Sequence, residues 1–350
     1  MRLLRRVAAA ALLLLSTHVA QAAQLRLLTM NVAMLPFIHP HLNQRLKALG
    51  DELASRRYDL VGMQEAWRDK DAAYLASRAG LDHYERFPRD VAIGTGLAFL
   101  SRWPLEHKEQ KVFTCRPSAL RFAQGEWPAN KGVLYAQVQT PQGPLDVYDT
   151  HLISDYSDAR YYTLRLTQLF ELAEEIRMRS GDRPFILMGD FNTAPLEAEY
   201  AVLRDLLDLD DACLKGKEDL CGATLDDGRR VDHVFVPRGG LKFVRAERVL
   251  KAQPGELALS DHAAVEATVD LELLALKPKR DAARRAAALR TVGRALDAMS
   301  AAMSQRQERR SWIPVYGFMM ALRYSHQLDQ LRDLRARVET ALLTDLQAAR

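Results

Sequence analysis

The 350-residue chain has only three cysteines, Cys115, Cys213 and Cys221, and none has zinc-site spacing, which excludes a thiolate metal centre. After its first segment no apolar run is long enough to span a bilayer as a helix. It has no internal repeat and no low-complexity tract, so repeat architectures are excluded. Clusters of aromatic and basic residues are few, which argues against a surface built to grip single-stranded nucleic acid. What is abundant is apolar material, 48% of the residues, ample for a large core and for one to three domains.

The first residues read as a processing signal. "MRLLRR" is basic, "VAAAALLLL" is a short apolar core, and "AQAAQ" offers cleavage near Ala22 or Ala23. Residues 1–23 are therefore expected to be a signal peptide and the mature protein to be exported, periplasmic or secreted. Export admits a disulfide between Cys213 and Cys221 around the polar loop "LKGKEDL"; Cys115 is then free, or pairs with one of the other two. Charge is divided unevenly. Residues 24–270 carry 31 basic and 37 acidic side chains, net −6, whereas 271–350 carry 15 and 8, net +7. An acidic body and a basic tail suggest two jobs.

Strand-like runs alternate with helical ones through 24–270. Strands are expected at 24–31, 58–65, 96–102, 132–140, 144–152, 230–236 and 263–271, with another in "FILMGD". Helical spacing marks 41–57 and 158–180, and "PQG" between two strands marks a hairpin. Hairpins mixed with strand–helix alternation imply an α/β fold of packed mixed sheets flanked by helices. After residue 271 the pattern is helical, with faces at Leu289, Val292, Leu296, Met299 and Met303, and at Leu331, Leu334, Val338 and Leu342.

Polar residues recur where apolar runs stop. Asn31 ends the first run, Glu65 follows in "MQE", His151 in "YDTHL", and Asp190 and Asn192 in "MGDFNTAP". Asp232 lies in "RVDHVFV", and Asp261 and His262 precede the last strand in "LSDHAAV". Each alone has a plain explanation: a turn residue, an exposed charge, or an Asp or Asn capping the helix that begins near Leu196. Their repetition at strand ends points to one shared cleft.

The ordered set "TMN", "MQE", "SRWP", "THL", "GDFN", "VDHVFV" and "SDH" resembles the endonuclease/exonuclease/phosphatase superfamily over roughly 24–270. The resemblance implies a four-layer sandwich of two sheets between helices, and metal-dependent phosphoester hydrolysis. It implies Glu65 and Asn31 as ligands of Mg²⁺, with Mn²⁺ or Ca²⁺ as alternatives, and Asp261 as a second ligand or a support for His262. His262 is then the general base, since its reference pKa lies near neutrality, with Asp232 fixing its tautomer. Asp190 orients water or imidazole, Asn192 donates to a phosphoryl oxygen, and His151 steadies the phosphate or protonates the leaving group. Nuclease branches often place an acid two positions after the first motif's asparagine; this chain has Ala33, which favours a single metal.

"TMNVAMLP", "NKGVLYAQV" and "THL" followed by "RLTQLFEL" are similar to the neutral sphingomyelinase and phospholipase C-like branch. Lys131, in the second of these, is a candidate phosphate contact or an ordinary strand-edge lysine. The tail's Lys277, Lys279, Arg280, Arg284, Arg285, Arg290 and Arg294, with the apolar link "WIPVYGFMMAL" at 312–322, suggest peripheral contact with an anionic membrane; packing on the body is the alternative. The expectation is thus an exported phosphodiesterase acting on a phospholipid or sphingolipid headgroup. An exported nuclease of the same superfamily and a catalytically inactive binding module are the alternatives. The −6 body argues mildly against nucleic acid.

Overall fold

The structure is a computed structural model that describes residues 24–350 apart from 36–40, 87–93, 116–129, 155–158, 253–254, 273, 278–279, 311–313 and 349–350, with backbone alone at 159–160, 306–310, 314–324 and 348. The expected signal peptide lies outside the described residues.

Along the chain come β1 (Gln24–Asn31), α1 (Leu42–Arg56), β2 (Leu60–Gln64), α2 (Asp69–Ala79), β3 (His83–Glu85), β4 (Ala98–Ser101) and β5 (Leu105–Val112). Then follow β6 (Gly132–Thr140), β7 (Gly143–His151), α3 (Ala159–Ser180), β8 (Phe185–Asp190), α4 (Ala198–Leu207) and β9 (Leu209–Asp211). The chain continues with β10 (Leu214–Lys215), β11 (Glu218–Asp219), β12 (Asp232–Pro237), β13 (Lys242–Val249), β14 (Ala264–Asp270), α5 (Ala282–Arg310) and α6 (Pro314–Ala348).

Two six-stranded sheets result, ordered β13-β14-β1-β2-β4-β3 and β5-β6-β7-β8-β12-β9. Alternation of side chains along each strand builds the layers. Leu25 and Leu27 of β1 face Val147, Ile186, Met188 and Val234 of the other sheet, closing a core between the sheets. Leu28 and Met30 point the opposite way, against Leu49 and Leu53 of α1 and Leu75 of α2. Leu187 and Phe235 face outward from the second sheet onto Leu166, Leu169 and Phe170 of α3. Helices, sheet, sheet and helices make the expected four layers. The Cys213–Cys221 disulfide is present, with a Cα–Cα distance of 5.4 Å, and Cys115 is a buried free thiol.

The tail packs on the body. Leu289, Val292 and Leu296 of α5 and Leu331, Leu334 and Val338 of α6 join the cluster of α3 and α4. Each such leucine contributes about 1.5–3 kcal/mol by leaving water. These faces are thus covered by protein, while Leu343 and Leu346 near the end of α6 stay exposed. Several of its cations are paired as well: Arg280 with Asp182 at 3.1 Å, Arg284 with Asp281 at 3.2 Å, and buried Arg285 with Asp345. The described α5 begins at Ala282, so Lys277 and Arg280 precede it. Lys279 and the side chains of 312–322 lie outside the described residues. No helix among the described residues is long and apolar enough to cross a membrane.

Candidate active site

The same alternation that builds the inter-sheet core carries polar groups to one end of it. Asn31 shares a face with Leu25 and Leu27, Asp190 with Ile186 and Met188, His151 with Leu145 and Val147, and Asp232 with Val234 and Val236. β1 runs parallel to β2, and β7 parallel to β8, which aligns Asn31 with Gln64 and His151 with Asp190. β12 runs antiparallel to β8, which sets its first residue, Asp232, opposite Asp190. β14 is antiparallel to β1, which brings the preceding His262 to the same end. Strand direction thus gathers residues separated by up to 231 positions, from Asn31 to His262, into one cleft.

Asn31 Nδ2 lies 3.2 Å from Glu65 Oε1 and donates to Asp190 Oδ2 at 3.1 Å. His262 Nδ1 donates to Asp232 Oδ2 at 2.9 Å, and its Nε2 lies 3.9 Å from Asp190 Oδ2. Lys131 Nζ lies 2.8 Å from His151 Nε2, which is 3.3 Å from Asp190 Oδ2. Lys131 is only 7% exposed. It is therefore no ordinary strand-edge lysine but a buried cation inside the cleft. Asp190, Asp232 and His262 converge closely, with one ligand atom of each within 4.8 Å of the others. Asp261 is exposed, accepts from Ser260 Oγ at 3.2 Å, and reaches His262 through its charge.

The loops are held tightly. Gly189 has φ 143°, and a Cβ there would fall 2.0 Å from the Thr150 carbonyl oxygen, so the "GDFN" turn requires glycine. Ala33, Glu65 and Asn192 have φ of 45°, 58° and 49°, a cluster of left-handed residues that persists only where neighbours over-determine it. Asp190 and Asn192 do not cap α4; its cap position is Glu197, which makes no side-chain cap bond. Instead Asp190 Oδ1 accepts the Asn192 amide at 3.0 Å, and Asn192 Nδ2 donates to the Leu152 carbonyl at 2.9 Å. One Asn192 amide proton is thereby committed to the backbone rather than to an incoming phosphoryl group.

Sequence reasoning missed Arg45. Buried in α1, it donates to the carbonyls of Val32 at 2.8 Å, Ala33 at 3.2 Å and Leu259 at 2.6 Å. Ser260 Oγ donates to the Asn31 carbonyl at 2.6 Å. Together they stitch the loop after Asn31 to the loop before His262. A single arginine among helical residues gives no pattern that singles it out.

The surrounding carboxylates set the electrostatics of His262. Burial alone would lower the His262 pKa, but Asp232 first, then Asp190 and Asp261, raise it to about 10. Asp232 and Asp190 thus favour a protonated imidazole wherever no cation offsets their charge. Burial raises Asp190 to about 6, with Asp232 adding to the shift and His262 opposing it. Burial, then Lys131 and His262, hold His151 well below its ordinary value, so it is neutral. The donor set fits a hard divalent cation: Glu65 and Asp190 present carboxylate oxygens on either side of the Asn31 carboxamide, and Asp190, Asp232 and His262 bring one ligand atom each within 4.8 Å of one another.

Comparison with known proteins agrees with this geometry. Residues 28–262 match the pattern of the Endonuclease/Exonuclease/phosphatase family. Sphingomyelin phosphodiesterase 2 of Rattus norvegicus is 31% identical over 207 residues, 57% of this chain and 49% of that protein. Inositol phosphosphingolipids phospholipase C of Schizosaccharomyces pombe is 27% identical over 301 residues, 73% and 70% of the two chains. The chain spans 63%, 49% and 65% of the length of its Drosophila melanogaster, Rattus norvegicus and Mus musculus relatives. A crystal structure of a Staphylococcus aureus beta toxin variant with bound magnesium ions superposes with a TM-score of 0.56 at 19% identity, over 70% of this chain and 99% of that one. The match over two thirds of its length, on the fold and the cleft described above, places the chain in the Endonuclease/Exonuclease/phosphatase family.

Proposed function

We propose that the protein is a divalent-metal-dependent phosphodiesterase that hydrolyses the headgroup phosphodiester of a sphingolipid or related phospholipid. The observation that carries this reading is the convergence of Asn31, Glu65, Asp190, the His262–Asp232 pair and the Lys131–His151 pair at one end of the sandwich. Glu65 would hold the cation with Asp190 alongside, and Asn31 would complete the site through Oδ1, which here accepts the Ala33 amide at 3.1 Å, or hold a metal-bound water; when bound, the cation neutralises charge on the phosphoryl oxygens.

The chain's own groups account for the rest. The 3.9 Å between His262 Nε2 and Asp190 Oδ2 is too long for a direct bond. A water about 2.8 Å from each fits between them, held for attack on phosphorus. Its proton passes to the His262–Asp190 pair, with His262 Nε2 as the base and Asp190 orienting the water. Asp232 fixes the ring through Nδ1. Lys131, whose Nζ lies 2.8 Å from His151 Nε2, offers positive charge and N–H donors to a phosphoryl oxygen. His151, beside Lys131, would steady the phosphate or pass a proton to the leaving oxygen, which departs on the side opposite the attacking water.

The relatives named for sphingomyelin and inositol phosphosphingolipids favour a lipid substrate over nucleic acid. The disulfide suits an oxidising compartment, in keeping with export of the mature chain. The test is a panel of sphingomyelin, phosphatidylcholine, an inositol phospholipid and plasmid DNA, with Mg²⁺ and with chelator. Turnover of a sphingolipid that chelator abolishes supports the reading. Cleavage of DNA alone moves the chain to the nuclease branch, and no turnover of any substrate overturns the enzyme.

A further inference from the structure

Two residues before His151, on the same inward face of β7, lies Asp149, with 0% exposure. Gln64 faces it across the gap between the sheets, also at 0%. Gln64 Nε2 is 2.6 Å from Asp149 Oδ1 and 3.1 Å from Thr29 Oγ1. The gap is narrow: a Cβ on Gly62 would fall 2.6 Å from Met188 Sδ and 3.3 Å from Asp149 Cγ. The second oxygen of each group, Asp149 Oδ2 and Gln64 Oε1, is buried with no hydrogen-bond partner.

Asp149 has no cationic partner among the described residues. Its donors are the Gln64 amide and the Thr150 backbone, and the charged groups that act on it are Asp190 and Asp232, which repel an anion. Isolated carboxylates are far costlier to bury than neutral acids. Burial, with those two carboxylates behind it, drives the Asp149 pKa well above its ordinary value.

We propose that Asp149 is a neutral carboxylic acid that closes a two-bond ring with the Gln64 carboxamide and so positions Glu65 and Asn31. The acid proton on Oδ2 is donated to Gln64 Oε1 while Gln64 Nε2 donates to Oδ1, so each leftover atom becomes the other's partner. Gln64 is the last residue of β2 and the register partner of Asn31. It directly precedes Glu65, whose φ of 58° needs neighbours to hold it. Asp149 is thus a positioning residue on a cross-sheet strut, acting through Gln64. What Glu65 does with its carboxylate rests on the phosphodiesterase reading; the ring itself does not.

Asp149→Asn and Asp149→Ala separate the outcomes. An asparagine makes the same two-bond ring with Gln64, whereas alanine leaves that amide with Thr29 alone. Three quantities are measured: Mn²⁺ binding by calorimetry, kcat and KM against metal concentration and pH, and the infrared band of a protonated carboxyl at a pH well above the value of about 6 for Asp190. Asp149→Asn should keep the metal affinity, kcat and pH profile of the parent. Asp149→Ala should weaken Mn²⁺ binding by about 10–100-fold, the usual effect of losing a support behind a metal ligand, with KM little changed. The infrared band should weaken in both variants. The proposal is overturned if Asp149→Asn loses metal affinity or shifts the pH profile, or if its spectrum matches the parent's. Should Asp149→Ala fail to fold, the asparagine variant and the band still decide. Normal calorimetry and the expected band, with no phosphodiester turned over by the parent, would leave the ring standing and sink the function.

Discussion

Replacing Asp232 by asparagine probes the catalytic pair most sharply. Asp232 is fully buried behind His262, accepts its Nδ1 proton at 2.9 Å, and is the largest influence raising that imidazole. A charge-assisted hydrogen bond of this kind is worth about 1.5–3 kcal/mol, roughly a 10–150-fold effect if it is fully realised in the transition state. Asparagine also leaves the ring free to take the wrong tautomer, a fault that can cost about 10⁴ in kcat in a comparable His–Asp pair. Turnover should therefore fall by about 10²–10⁴. KM should change little, since Asp232 lies beneath the imidazole. The His262 pKa should drop from about 10, because its main opposing charge is gone. The linkage has a defined sign. A raised folded-state value stabilises below the ordinary 6.5 and loses that contribution as pH rises through about 10. The variant's deficit in Tm should thus be largest below pH 6.5 and shrink toward pH 10. The assay is hydrolysis of a soluble phosphodiester across pH, paired with thermal melts. Wild-type turnover by Asp232→Asn would refute the reasoning.

Leu334→Ala should destabilise the whole protein by about 2–5 kcal/mol in denaturant titration, since Leu334 is fully buried between tail and body; an unshifted main transition would mean that the tail is not docked. Asp211 is held below its ordinary 3.8 because bonds and charges from His233, Arg230 and Tyr200 outweigh burial. Its stabilisation is present above 3.8 and lost as pH falls, so Asp211→Asn should flatten the acid limb of Tm against pH; parallel limbs would contradict this. Burial, then Glu171, push the Cys115 thiol up to about 12. A thiol reagent at neutral pH should find no reactive cysteine in the folded protein and one after unfolding without reductant.

Long apolar runs made β1, β2, β8 and β12 legible, and the polar residues at their ends pointed to the cleft. β5 and β13 were not legible, because "LEHKEQKV" and "KFVRAERV" are charged strands at sheet edges, with mostly exposed or half-buried side chains. The helix at α2 was missed too; only Ala72, Leu75 and Ala76 among its apolar residues are buried. Within the cleft, a motif reveals which residue type sits at a strand end but not the field around it. The proton on His262 depends on Asp232, Asp190 and Asp261, which come from separate segments. The burial of Lys131, the carbonyl cradle that Arg45 finds in two loops and the pairing of Asp149 with Gln64 across the sheets all arise from tertiary packing, which one-dimensional spacing does not record.

The central claim is that a divalent cation held at Glu65 and Asn31 serves the reaction at the His262–Asp190 pair. Anomalous diffraction from crystals of the mature chain soaked in Mn²⁺ tests it directly. A manganese peak against the Glu65 carboxylate, absent in Glu65→Gln together with metal-dependent turnover, is the predicted result. Manganese bound elsewhere, with Glu65→Gln still fully active, would contradict the account.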